Sequence, residues 1–180
     1  MNYEIFSYLF WHHSKDLRND INRYITEETN LSILSESHFL IPFNKFKDFA
    51  HLIYAKEHHF QHINDKANIQ INNFTKDKHD SDHMHLASIK LLNYKKQECI
   101  VSSEYNSKFN LRDAIKWELR KRFNPKHKIG SFHFSPLPIG VSHDHIVHCA
   151  DTKAEMCYID FLLESTATSK KICRKLLAIA

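Results

Sequence analysis

The sequence predicts an α+β fold: one antiparallel sheet of two hairpins plus a short strand, with helices packed mainly on one face, in a single domain over residues 1–180. Three observations lead there. Apolar stretches with strand alternation come in adjacent pairs joined by short polar turns, so hairpins outnumber βαβ crossovers. Between the pairs, apolar residues recur at helical spacing. The 180-residue length gives one domain enough chain to bury a core without disulfides or metal staples.

Taken in order, residues 3–25 bring Phe6, Phe10, Leu17, Ile21 and Tyr24 roughly into helical phase, although the aromatic-rich first ten residues equally suit a strand. Asn44 is a candidate N-cap for a helix to about Ile63, with Phe46, Phe49, Ile53 and Phe60 on its apolar face. The polar stretch Asn64–Asp82 reads as a long loop, with a short strand around Ile69, Ile71 and Phe74. Leu86–Tyr94 and Glu98–Glu104 flank Lys95-Lys96-Gln97 as a first hairpin. A basic helix from Leu111 stops before Pro125, and Ile129–Phe134 alternates as a short strand. His145–Ala150 and Met156–Leu163 form a second hairpin, burying Cys157, Ile159, Phe161 and Leu163. Ser165 or Thr166 then caps a last helix that faces Ile172, Leu176 and Ile179 inward.

Composition excludes several activities. With only two glycines, Gly130 and Gly140, the chain lacks the material for a Walker A loop, a dinucleotide-binding turn or a kinase glycine loop. HExxH, CxxC, GxSxG and EF-hand patterns are absent. The first residues lack a signal peptide's basic start and cleavage site, and no apolar run approaches the ~20 residues of a membrane helix, so a cytoplasmic protein without membrane partners is expected. Cys99, Cys149, Cys157 and Cys173 are scattered and are expected to be reduced, mostly buried thiols.

The net charge of +4 is uneven: residues 111–180 hold twelve basic and seven acidic side chains, the first 110 thirteen and fourteen. Arg112, Lys116 and Arg120 fall at i, i+4 and i+8, so a helix gathers them into one stripe opposite Leu111, Ile115 and Leu119. Trp117 and Lys121 lie beside that stripe. Cations next to an aromatic suit a phosphate backbone; they equally suit an acidic protein surface, or simply a solvated helix face.

Fifteen histidines are unusual for this length. His12, His13, His38, His51, His58, His59 and His62 read as outer-face residues, His58 and His62 one helical turn apart. Two clusters are sharper, His83-Met84-His85 and His143-Asp144-His145. In a strand, i and i+2 side chains share a face, so each pair offers two imidazoles to one divalent ion. Were the two strands neighbours, all four would converge; His148 would point away.

Asp82-His83-Met84-His85-Leu86, at the mouth of a predicted strand, resembles the His-hydrophobic-His signature of HUH single-strand endonucleases, and Tyr105-Asn106-Ser107-Lys108 resembles that family's Tyr-x-x-Lys element. The resemblance spans residues 82–108 alone; the tyrosine follows sooner than in that family, after a predicted strand rather than a helix. It implies that His83 and His85 hold a metal that polarises the scissile phosphate, and that Tyr105 attacks it to form a covalent DNA link.

The function these readings favour is a small nucleic-acid-associated protein. Arg112, Lys116, Trp117, Arg120 and Lys121 would make the contacts, and metal-dependent strand cleavage through Tyr105 would be a catalytic version. The alternatives are a non-catalytic interaction subunit, such as an adaptor, inhibitor or immunity-type protein, and a metal-dependent hydrolase using His83, His85, His143 and His145. With so many histidines, acidification should strengthen the grip on a polyanion.

Overall fold

The computed structural model describes residues 3–55, 66–68, 70–71, 82–94, 110–124 and 146–175. Its centre is a five-stranded antiparallel sheet in the order β4-β1-β3-β2-β5. The strands are β1 (Tyr3–Phe10), β2 (Ser32–Pro42), β3 (His83–Tyr94), β4 (Val147–Cys149) and β5 (Ser169–Lys175). The α-helices are α1 (Arg18–Arg23), α2 (Phe43–Tyr54), α3 (Leu111–Phe123) and α4 (Lys153–Thr166). Among the described elements, leaving α2 and the helical residues 66–68 and 70–71 aside, the order is β-α-β-β-α-β with β3 lying between β1 and β2, which is the split βαβ arrangement, here extended by β5.

The α+β class and the antiparallel sheet are as expected, but the helices divide between both faces. On one face Phe6, Tyr8, Phe10, Ala87, Ile89 and Leu91 pack with Ile21, Ile25, Ile115 and Leu119 of the α1 and α3 side. On the other, Leu9, Trp11, Phe39, Ile41, Met84 and Leu86 pack with Phe46, Phe49 and Ile53 of α2 and Ile159, Leu162 and Leu163 of α4. Coverage of both faces explains why β1 is buried at every position from Phe6 to Phe10: it reads as an apolar run broken only by Ser7. Trp11 anchors the second layer, stacked on Tyr54 at 5.8 Å and edge-on to Phe46 and Phe49.

Residues 3–10 are strand, so the helical phase linking Phe6 and Phe10 to Ile21 is coincidental; helix begins only after a 3-10 turn over His12–Leu17. Helix α2 starts one residue before Asn44, behind Pro42, and buries Phe46, Phe49 and Ile53 as expected; Phe60 lies outside the described residues. Residues 66–68 and 70–71 are helical where a short strand around Ile69 was expected, and Ala67 and Gln70 are buried. Helix α3 matches its expected span, opened by the Asn110 side chain accepting from the Asp113 amide.

The largest correction is at the C-terminus, where strand and helix are exchanged. Residues 153–166 form α4, and 169–175 form β5. Thr152 and Glu155 start that helix: the Thr152 hydroxyl accepts from the Glu155 amide, and the Glu155 carboxylate reaches back to the Asp151 amide, close to a capping box. As a result Phe161 is 65% exposed and Ile172 58% exposed, although both were expected to face inward. Cys149 is buried, but Cys157 and Cys173 are exposed, so the thiols are not mostly buried. The second strand of the first hairpin, the strand at 129–134 and residues 176–180 lie outside the described residues. Among those described, no helix is long and apolar enough to cross a membrane.

Candidate nucleic-acid interface

Helix α3 carries all five expected contact residues, and the fold engages Arg112, Lys116, Trp117 and Arg120 internally. Arg120 is only 3% exposed; its Nε and Nη2 donate to the Val147 carbonyl at 3.3 and 2.9 Å, and its guanidinium lies 4.7 Å from the Trp117 ring centre. Trp117 is buried, with Lys116 on its ring at 5.3 Å. Lys116 bonds Asp113 at 2.8 Å. Arg112 donates to the Asp151 carbonyl and pairs with Asp113 and Asp151. Lys121 is half-buried. The stripe thus ties α3 to β4 and to the start of α4. These pairs hold the Asp113 carboxyl below its ordinary range: burial pushes it up, but Lys116, Arg112 and the Asn110 side chain together outweigh burial.

A different surface gathers histidines. On β3, His83 and His85 share a face with Ala87, the α1 side of the sheet. Strand register places His85 opposite Leu40, and Ala87 opposite His38 of β2. His38 in turn lies opposite Lys171 of β5. Beyond the end of β1, His12 takes over the ladder: its Nδ1 accepts from the His85 amide at 3.0 Å, and the two rings lie 5.5 Å apart. The bend that presents His12 is held by Arg18, whose buried guanidinium donates to the Phe10 carbonyl at 3.2 Å and lies 4.8 Å from the Phe10 ring centre. Burial pushes the Arg18 pKa down to about 9 against the opposing pull of Glu36.

The three neighbouring strands β3, β2 and β5 therefore bring His83, His85, His38 and Lys171 to one end of one sheet face, with His12, His13 and Lys15 arriving from the adjoining turn. Lys15, His85 and Lys171 are exposed; His13, His38 and His83 are half-buried. Glu36 shares the face, but it is buried, and the His38 hydrogen bond, helped by Asn22 and Arg18, holds its carboxyl below the ordinary range against burial. Asp16 and Asp82 are exposed carboxylates at the border. Burial, with Lys15, His83 and His38, outweighs Asp16 and lowers the His85 pKa.

The sequence pattern found His83 and His85 but missed their companions. His12 and His38, read as outer-face residues, meet His85 only because β3 lies between β1 and β2. Lys171 was placed on a helix. Tyr105, His143 and His145 lie outside the described residues. Among the described residues, no group of three His, Cys, Asp or Glu side chains is placed to hold a metal ion. His148 faces the opposite side, where it is buried, bonds Glu155 at 3.1 Å and meets the Tyr54 ring edge-on at 5.3 Å. Cys149 faces away from it, and burial pushes that thiol up to about 12, far from a nucleophile's range.

No protein-family model matches the chain, no curated protein is similar to it, and no solved structure matches it.

The shifts set an expected pH dependence of stability. His85 has a folded pKa below its unfolded 6.5, so the unfolded state binds the proton more readily. Its contribution is complete above that value and declines as pH falls through it. Glu36 and Glu155 are held below 4.5, so theirs is lost further down. Thermal melts should be level at neutral pH, decline through the histidine range, and decline again through the carboxylate range. His85→Gln should flatten the first decline alone, since the bond to His12 uses the backbone amide. An unchanged first decline would remove His85 as its source.

Proposed function

We propose that the protein binds nucleic acid, gripping phosphates with the histidine- and lysine-bearing end of the sheet. The observation that carries this is the alignment of Lys171, His38 and Ala87 in one cross-strand row, with His85 and His83 on the same face. The antiparallel sheet holds these side chains on a rigid base with strands ~4.8 Å apart, so side chains on adjacent strands can share one phosphate. Nearby exposed cations supply the attraction, and the imidazoles add donors. Helix α3 adds little to this surface, because Arg112, Lys116 and Arg120 are held by the fold.

A salt titration tests the proposal. A labelled single strand of about 20 nucleotides should bind the full chain at about 50 mM salt. With about four phosphate contacts, affinity should drop on the order of 10²-fold by about 200 mM. Absent binding at the lower salt, or a flat salt response, would refute it. The same titration at lower pH should show tighter binding once the exposed His85 imidazole protonates.

A further inference from the structure

Glu36 and His38 are two residues apart on β2, so their side chains share the α1 face of the sheet. His38 Nε2 lies 2.8 Å from Glu36 Oε1. Asn22 Nδ2 donates to the other carboxylate oxygen at 3.1 Å. The Glu36 side chain is only 5% exposed, whereas that of His38 is 39% exposed, so the carboxylate is closed off and the imidazole is open. An ionised carboxylate can only accept, so His38 Nε2 carries the proton of this bond. Nδ1 of the neutral ring is then left as the acceptor.

The strand neighbours of His38 complete the arrangement. Lys171 of β5 stands directly opposite it and is exposed, which puts the two Cβ atoms about 5 Å apart. His85 of β3 is its diagonal neighbour, one pair beyond Ala87. A buried carboxylate, the imidazole it orients and an adjacent ammonium thus meet on the phosphate-binding face.

On the reading that this face holds nucleic acid, we propose that it also cleaves RNA: His38 is the general base for a ribose 2′-hydroxyl, Glu36 positions it, and Lys171 offsets the charge that builds on the phosphate. His38 Nδ1 takes the hydroxyl proton as the 2′-oxygen attacks the adjacent phosphorus. The bond from phosphorus to the 5′-oxygen of the next nucleotide breaks, and that oxygen takes a proton from the Lys171 ammonium. The products are a 2′,3′-cyclic phosphate and a 5′-hydroxyl. His38 gives its proton to water and Lys171 regains one, so no further reactant is consumed. DNA lacks the 2′-hydroxyl and would be bound without being cut.

The test uses a labelled DNA strand of about 20 nucleotides with a single internal ribonucleotide, incubated with the full chain in EDTA at about 50 mM salt. Cleavage should occur only at the ribonucleotide and leave a cyclic phosphate, while an all-DNA strand is bound and stays intact. His38→Ala should slow the cut by about 10²-fold or more. It should weaken binding by less than about tenfold, the share of one contact. Added imidazole should restore part of its rate, which separates lost proton transfer from a damaged fold. Glu36→Gln should lower kcat by about tenfold or more with KM nearly unchanged; a rise in KM alone would remove Glu36 from the positioning role. Binding of the mixed strand without cleavage would overturn the cleavage proposal and leave the binding proposal standing, whereas absent binding would overturn both. Cleavage that needs a divalent ion, leaves a 5′-phosphate or persists in His38→Ala would also overturn it.

Discussion

Arg120→Ala should lower stability by about 3 kcal/mol, a fall in melting temperature of about 8 °C for a chain of this size. The arginine is buried, its two donors converge on the Val147 carbonyl, and its plane lies against Trp117. Among the described residues Val147 opens a three-residue edge strand, which β1 pairs on one side while the Asn124 side chain accepts from the neighbouring Ile146 amide. Truncation leaves a buried carbonyl without its donors and a void over the indole. Arg120→Lys keeps the charge but not the planar fork, and should recover only part of the loss. Below its melting transition, Arg120→Lys should bind the labelled oligonucleotide within about twofold of wild type, since an interior guanidinium meets no phosphate. Normal stability with a large loss of binding would invert that assignment.

Lys15→Glu combined with Lys171→Glu should weaken oligonucleotide binding on the order of 10²-fold at about 50 mM salt, and make the salt slope shallower by about two. Both side chains are exposed, and both belong to the sheet end that carries His38 and His85. Lys170→Glu is the matched control. Lys170 precedes Lys171 on the same strand but points to the other face, where it bonds Glu164 and sits 5.6 Å from the Phe39 ring centre. Its reversal changes net charge as much as Lys171→Glu alone, yet should alter affinity by less than about threefold. Equal losses from the single reversals at 170 and at 171 would show that overall charge, and not this face, sets the affinity.

Much of the architecture was legible because local signals were unambiguous. The basic and apolar stripes from Leu111 to Pro125 mark α3, and Leu86–Tyr94 has the apolar density of a central strand. The C-terminal exchange arose where two periods overlap. Met156–Leu163 alternates well enough for a strand, and also places Ile159, Leu162 and Leu163 on one helical stripe. The deciding signal was Thr152 followed three residues later by Glu155, a helix start written in the sequence. The α3 stripe shows a subtler limit. Spacing groups Arg112, Lys116 and Arg120, but says nothing about which neighbour receives them. Arg120 turns inward because β4 begins there with a carbonyl in need of donors. The histidine face could not be assembled from spacing at all, as its members lie on β3, β2, β5 and the turn after β1, and only the strand order makes them neighbours.

That strand order also governs how the chain reaches its native state. Each strand of the first eighty residues finds its partner only later: β1 waits for β3 and β4, and β2 for β3 and β5. A growing polypeptide therefore emerges with β1 and β2 lacking a strand partner until residues 83–94 follow. Topologies dominated by such distant pairings fold slowly. The arrival of β3 would be the committing event, joining two strands that never touch each other, and sequences near His83–Tyr94 would control the rate more strongly than any helix.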